Sequence, residues 1–320
     1  MAAFVAGRIL VRVTYSYILV QSGATRLCKV AYMTIRHDPR VSFASPKLLA
    51  TSVDLFRALL IFLPLLVAAC GIGGGGSGAS ATTSASITLP TISATHADIS
   101  LLFMGNSHTS VNNLSVMVTT MAAAGLPGKT VGAIEAPVWK HLQERSTDAA
   151  SLALLNSQRW SFVILQAQNY SQSGKFNYPT TGAELLVRQA RLQGATPVMF
   201  PEWARANVDE AQRIFDLHVS IARKEPACVA PIPQAFVLAQ SRYPSITLLD
   251  RDGNHSARAG AFLAALVLYA TIVDRSPNDL PYFPQIDIDA NTQRNLRAVA
   301  NETVQTIPPR LWCAADERPG

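Results

Sequence analysis

The chain has 320 residues, with 27 Lys+Arg against 21 Asp+Glu and a formal net charge of +6. The excess is local: residues 1–69 hold eight of the basic and two of the acidic residues, leaving nineteen of each sign in the remainder. Residues 70–320 are therefore neutral overall, which gives no electrostatic reason to expect a nucleic-acid partner.

In chain order, the first signal is the apolar run Ala58 to Ala69, preceded by Arg36, Arg40, Lys47 and Arg57 and followed by Cys70. Basic residues, a short apolar core and small residues at the junction describe a secretory signal. A core of about a dozen residues is too short to span a bilayer as a stable helix. Val67-Ala68-Ala69-Cys70 resembles a bacterial lipobox, which implies that Cys70 is lipidated and that the protein is anchored in a bacterial cell envelope. Residues 1–69 then form a leader. Met33 gives a more ordinary signal length, so residues 1–32 read as an over-extended start or a dispensable segment. Residues 70–97 are rich in Gly, Ser, Thr and Ala and read as a flexible linker. The Gly71–Gly78 run is not a phosphate loop, because no Gly-Lys-Ser/Thr follows it.

From residue 98 to 309, apolar runs alternate with amphipathic stretches, enough chain for one well-buried domain, with 310–320 as a tail. Strands are expected at 99–104, 130–134, 162–166, 196–200 and 228–231. Helices are expected at 113–124, 148–155, 181–192, 208–224, 256–273 and 291–304. This alternation predicts an α/β fold, a three-layer α/β/α sandwich around a central parallel sheet. Ligands bind such sheets at the carboxyl ends of the strands.

Two segments at such positions carry chemistry. Gly105-Asn106-Ser107 follows the first strand, and Asp252-Gly253-Asn254-His255 precedes a long apolar helix about 150 residues on. A serine hydroxyl becomes a nucleophile when an imidazole takes its proton and a carboxylate orients that imidazole. Ser107, His255 and Asp252 are the residue types for those roles. Taken singly, Ser107 also reads as a helix N-cap and Asp252-Gly253 as a simple turn.

The blocks around these residues are similar to the SGNH (GDSL-like) hydrolases, most closely to a lipoprotein-rich branch with a Gly-Asn-Ser-x-Thr first block. Gly105 to Thr109, Asn112-Asn113, Leu165 to Gln168, the Asp252 to His255 block, and Gly260 with Ala264 and Ala265 carry the resemblance over roughly residues 99–306. It implies that Ser107 is the nucleophile, His255 the general base and Asp252 its orienting partner. For the oxyanion hole it implies the Ser107 N–H, Gln168 or Gln166 where the family has asparagine and glycine, and Gly132 as a second-block residue. Asn112, Asn113, Trp203 and His141 are expected to bind substrate or brace the site, with Glu202 and Trp203 at the active edge. His108 is expected to point away from the nucleophile, and His218 to sit at the edge of the core.

The expected activity is a serine ester hydrolase removing acetyl or another short acyl group from a carbohydrate. An O-acyltransferase with the same residues and a non-catalytic glycan-binding lipoprotein are the alternatives. No cofactor and no metal are expected, since no Cys/His or carboxylate cluster has ligand spacing. Cys228 and Cys313 either pair in an oxidising compartment or stay separate thiols.

Overall fold

The computed structural model describes residues 11–20, 26–35 and 96–314. Cys70, most of the linker, the apolar run of the leader and residues 315–320 lie outside the described residues. Strands β1 (Val11–Val20) and β2 (Arg26–Ile35) pair antiparallel, with Val11 opposite Ile35 and Val20 opposite Arg26. The sequence reading assigned no element to this stretch.

The larger unit begins with β3 (Ile99–Met104), the one-turn helix α1 (Ser107–Ser110), α2 (Leu114–Gly125) and β4 (Val131–Glu135). Next come α3 (Leu142–Arg145), α4 (Ala149–Leu155), β5 (Phe162–Leu165), α5 (Thr181–Leu192) and β6 (Thr196–Met199). The order closes with α6 (Ala211–Lys224), β7 (Cys228–Val229), α7 (Ile232–Arg242), α8 (Arg258–Val273) and α9 (Ala290–Thr306). The five strands β3 to β7 form one parallel sheet in the order β4-β3-β5-β6-β7.

The inner strands β3, β5 and β6 are buried on both faces, so their side chains divide by alternation. Leu101, Phe103, Phe162, Ile164 and Val198 join the core formed with α2, α7, α8 and α9. Leu102, Met104, Val163, Leu165 and Met199 join the other, formed with α4, α5 and α6. This is the expected three-layer sandwich. Helix α8 is buried at every position from Gly260 to Val273, which explains its apolar sequence.

Three local expectations needed correction. Helix α7 is absent from the expected elements; its Pro233 occupies the first turn, where the missing N–H costs nothing. Helix α6 starts at Ala211 rather than at residue 208, after Asn207 turns the chain with φ +60°. Strand β7 stops at Val229, two residues before Pro231.

Cys228 and Cys313 form a disulfide, with Cα atoms 4.4 Å apart. Backbone bonds from Ala227 N–H to Trp312 O (3.0 Å) and Val229 N–H to Pro309 O (2.9 Å) lay the tail along β7. Residues 309–313 thus cover an edge that would otherwise be open to pairing.

The sheet order positions the site. The connection after β3 leads to α2 on one face, and that after β5 leads to α5 on the other. A crevice opens at the carboxyl ends of these neighbouring strands, where ligands bind in open parallel sheets. Ser107 follows β3, and Gln166 to Gln168 follow β5.

Candidate active site

The turn that carries Ser107 is set by its neighbours. Asn106 caps α1, its Oδ1 accepting the His108 N–H at 3.0 Å, so Ser107 opens the helix. Gly105 ends the strand under close cover. A Cβ there would lie 2.1 Å from Thr109 Oγ1 and 2.6 Å from Gln166 Oε1, so only glycine fits.

His255 reaches this turn from the loop between α7 and α8. Its Nε2 lies 2.8 Å from Ser107 Oγ, and its Nδ1 lies 2.5 Å from Asp252 Oδ2. Asp252 Oδ1 accepts the backbone N–H groups of Asn254 and His255, each at 2.9 Å. These bonds, the one to the imidazole first, hold the Asp252 carboxyl down at about 2, so it is ionised at neutral pH. An ionised acceptor at Nδ1 fixes the proton there and leaves the Nε2 lone pair facing the serine hydroxyl.

Three anchors fix the loop. Trp203 Nε1 donates to Asn254 O (2.8 Å), Ala206 N–H donates to Gly253 O (2.8 Å), and Asn112 Nδ2 donates to Ser256 O (2.7 Å). Asn112 therefore braces the serine turn against the histidine loop, from a left-handed backbone shared with Asn113. Asn113 itself is exposed.

Other expected residues sit differently. Gly132 pairs with Ser100 near the amino-terminal end of the sheet, whereas Ser107 follows the carboxyl-terminal end, so Gly132 is not part of this site. Trp203 is 1% exposed, stacked on Phe236 with ring centres 5.0 Å apart, and offers no face to a sugar. His108 does not point away. Its buried ring stacks on His255 at 5.1 Å and also meets Trp203 at 5.2 Å. Burial, followed by the neighbouring His255, lowers its pKa to about 4.

The two glutamines are engaged elsewhere than expected. Gln166 Oε1 accepts the Asn106 N–H (2.9 Å) and the Thr109 hydroxyl (3.0 Å), while its Nε2 donates to Glu202 (2.5 Å). Gln168 Nε2 donates to the carbonyls of Asn169 (2.9 Å) and Pro179 (3.1 Å). An amide nitrogen has two protons, so Gln168 has none left for an oxyanion. The first is a buttress under the serine turn and the second holds the following loop. Glu202 lines the cleft beside Asn106 and His108, and burial chiefly, with Glu210 adding, pushes its carboxyl up to about 7.

Sequence reasoning missed Arg145. It is fully buried and donates to the carbonyls of Gly105 and Val138, each at 2.7 Å, and to Ser151 Oγ at 3.1 Å. It thus ties the serine turn to the loop after β4. Nothing in its local sequence marked it, because a charged residue on a short polar stretch reads as surface.

Beside Ser107 and His255 lies a cleft of about 280 Å³, lined by Asn106, His108, His141, Gln168, Glu202 and Asn254 among others. His141 reaches it from the start of α3, with its N–H bonded to Glu144 (2.8 Å). Among the described residues no group of three or more His, Cys, Asp or Glu is placed to hold a metal ion. Among the same residues no helix is long and apolar enough to cross a membrane.

No family model matches the chain, and no curated protein matches it. Solved structures do. A DUF4886 family protein from Bacteroides uniformis is 18% identical, with 66% of this chain and 96% of that one covered and a TM-score of 0.54. A candidate SGNH hydrolase from Slackia heliotrinireducens is 23% identical over 54% of this chain and 98% of that one, at a TM-score of 0.43. A Clostridium thermocellum family 3 carbohydrate esterase is 15% identical over 55% and 96%, at 0.39. At these identities the first likeness shows a shared α/β/α fold.

Proposed function

We propose that this chain is an SGNH-type serine ester hydrolase that removes acetyl or another short acyl group from a carbohydrate. The observation that carries the reading is the unbroken line of hydrogen bonds from Ser107 through His255 to an ionised Asp252, at the carboxyl ends of β3 and β5. His255 Nε2 takes the serine proton as Oγ attacks the ester carbonyl. The charge developing on the carbonyl oxygen is met by the Ser107 backbone N–H. His255 then protonates the departing alcohol, and water attacks the acyl-serine with His255 again as base. Asp252 keeps the imidazole in the right tautomer and stabilises the imidazolium.

The wider reading places the protein in the bacterial cell envelope, held by lipid on Cys70, with residues 1–69 as leader and residues 70–97 as tether. It also assigns the chain to the lipoprotein-rich branch, on the Gly105 to Thr109 and Asp252 to His255 blocks. His141 and Glu202 line the cleft and are proposed to contact the substrate.

Hydrolysis of para-nitrophenyl acetate tests the central assignment. Wild type turns over, and Ser107→Ala and His255→Ala each lose on the order of 10³-fold or more in kcat. Equal rates for wild type and Ser107→Ala would remove the serine from the mechanism.

A further inference from the structure

The cleft beside Ser107 continues into a second lobe of about 460 Å³, and Asn169, Tyr170 and Tyr178 line both. The far wall is the 169–178 loop, and α6 forms the floor. This loop is built rather than loose. Ser171 accepts the Phe176 N–H at Oγ (3.0 Å) and the Gly174 N–H at its carbonyl (3.1 Å), and Arg213 on α6 donates to Gln172 O (3.0 Å). Gly174 has φ +71°, and a Cβ there would come within 2.9 Å of Arg213 Nη1. The ordered loop nevertheless holds two aromatic rings in water, Phe176 at 68% exposure and Tyr178 at 45%.

Resting on the esterase reading, we infer that this second lobe is a subsite for a sugar ring adjoining the acylated one, so that the ester substrate is an oligosaccharide or polysaccharide. The combined lobes fall within the roughly 300–1,000 Å³ of ordinary ligand clefts. A sugar ring offers an apolar C–H face to an exposed aromatic and a rim of hydroxyls to polar neighbours. Asn169, Asn177, Arg213 and Asp216 supply that polar rim. Sugar hydroxyls exchange hydrogen bonds with amide, guanidinium and carboxylate groups of this kind, which an aliphatic acyl chain cannot do. Burying a fatty chain here would strand the same polar groups without water. The loop's pins to α6 hold the aromatics in place before ligand arrives, which lowers the entropic cost of binding.

The test uses the full chain with Ser107→Ala, so that binding is read without turnover, titrated calorimetrically with cellotetraose, xylotetraose and chitotetraose and with the matching monosaccharides. At least one tetraose binds more tightly than its monosaccharide. Adding Phe176→Ala weakens that binding about tenfold. Adding Tyr282→Ala, an exposed aromatic outside both lobes, leaves it unchanged. If no tetraose outbinds its monosaccharide, or if Phe176→Ala binds as the parent does, the subsite is wrong. Wild-type turnover of para-nitrophenyl acetate is read separately. Turnover without oligosaccharide binding removes the subsite and keeps the esterase. Phe176-dependent binding without turnover supports the subsite and removes the esterase.

Discussion

The His108 ring lies against the His255 ring, centres 5.1 Å apart and planes inclined by 30°. One edge of the His255 imidazole faces Ser107 and the other faces Asp252, while its plane rests on His108. Behind His108 stand Trp203 and Phe236, so the orientation of the His255 ring is backed by a continuous aromatic stack.

The stack makes His108 a positioning residue. His108→Ala lowers kcat on para-nitrophenyl acetate about two- to tenfold, the worth of one aromatic contact, with KM little changed. His108→Phe keeps the flat ring and restores most of the rate. Equal losses in both variants would assign His108 some other role.

The glutamines separate by the same logic. Gln168→Ala lowers kcat less than tenfold, far short of the roughly 10²–10³ that loss of an oxyanion donor costs, because both its amide protons are spent on backbone carbonyls. Gln166→Ala leaves the Asn106 N–H and the Thr109 hydroxyl without their acceptor and destabilises the fold by about 1–3 kcal/mol. Urea denaturation alongside steady-state kinetics checks both. A loss of 10²-fold or more in kcat for a normally stable Gln168→Ala contradicts this assignment.

Acid should weaken the fold. His108 and His218 are both lowered by burial from 6.5 to about 4, so between those values the unfolded chain binds protons that the folded chain refuses. Their contribution is whole above 6.5 and falls as the pH drops to 4. Glu202, raised from 4.5 to about 7, works in the opposite sense, its contribution declining as the pH rises between those values. Two histidines outweigh one carboxyl, so the melting temperature falls from pH 6.5 towards pH 4. His218→Phe flattens that slope in a calorimetric series. A melting temperature that rises on acidification would contradict the burial of these rings.

The disulfide closes a loop with a sequence separation of 85 and pins the tail to β7. Its removal in Cys228→Ala/Cys313→Ala costs about 2–5 kcal/mol, visible as a lower denaturation midpoint. A midpoint identical to that of oxidised wild type would mean that the tail contacts hold without the bond.

What could be read from sequence follows the range of the interactions involved. The inner strands were visible because both their faces are buried, giving runs such as Leu101 to Met104 and Phe162 to Leu165. Asp252 and His255 were visible as a pair because three residues span one turn. His108 was expected to point away because adjacent side chains diverge, but the single ring of His255 meets both Ser107 and His108. Gln168 stands where the resembling family has asparagine, but its amide protons go to the carbonyls of Asn169 and Pro179. Arg145 and the burial of Trp203 depend on partners 40 or more residues away, Gly105 and Asn254, which no local pattern encodes.

The most direct measurement of the central claim is covalent labelling of the full chain with a fluorophosphonate probe, followed by mass mapping of the modified peptide. The account predicts one adduct, on Ser107, formed by wild type and lost in Ser107→Ala and His255→Ala. No adduct on wild type, or an adduct that persists on another residue in Ser107→Ala, would contradict it.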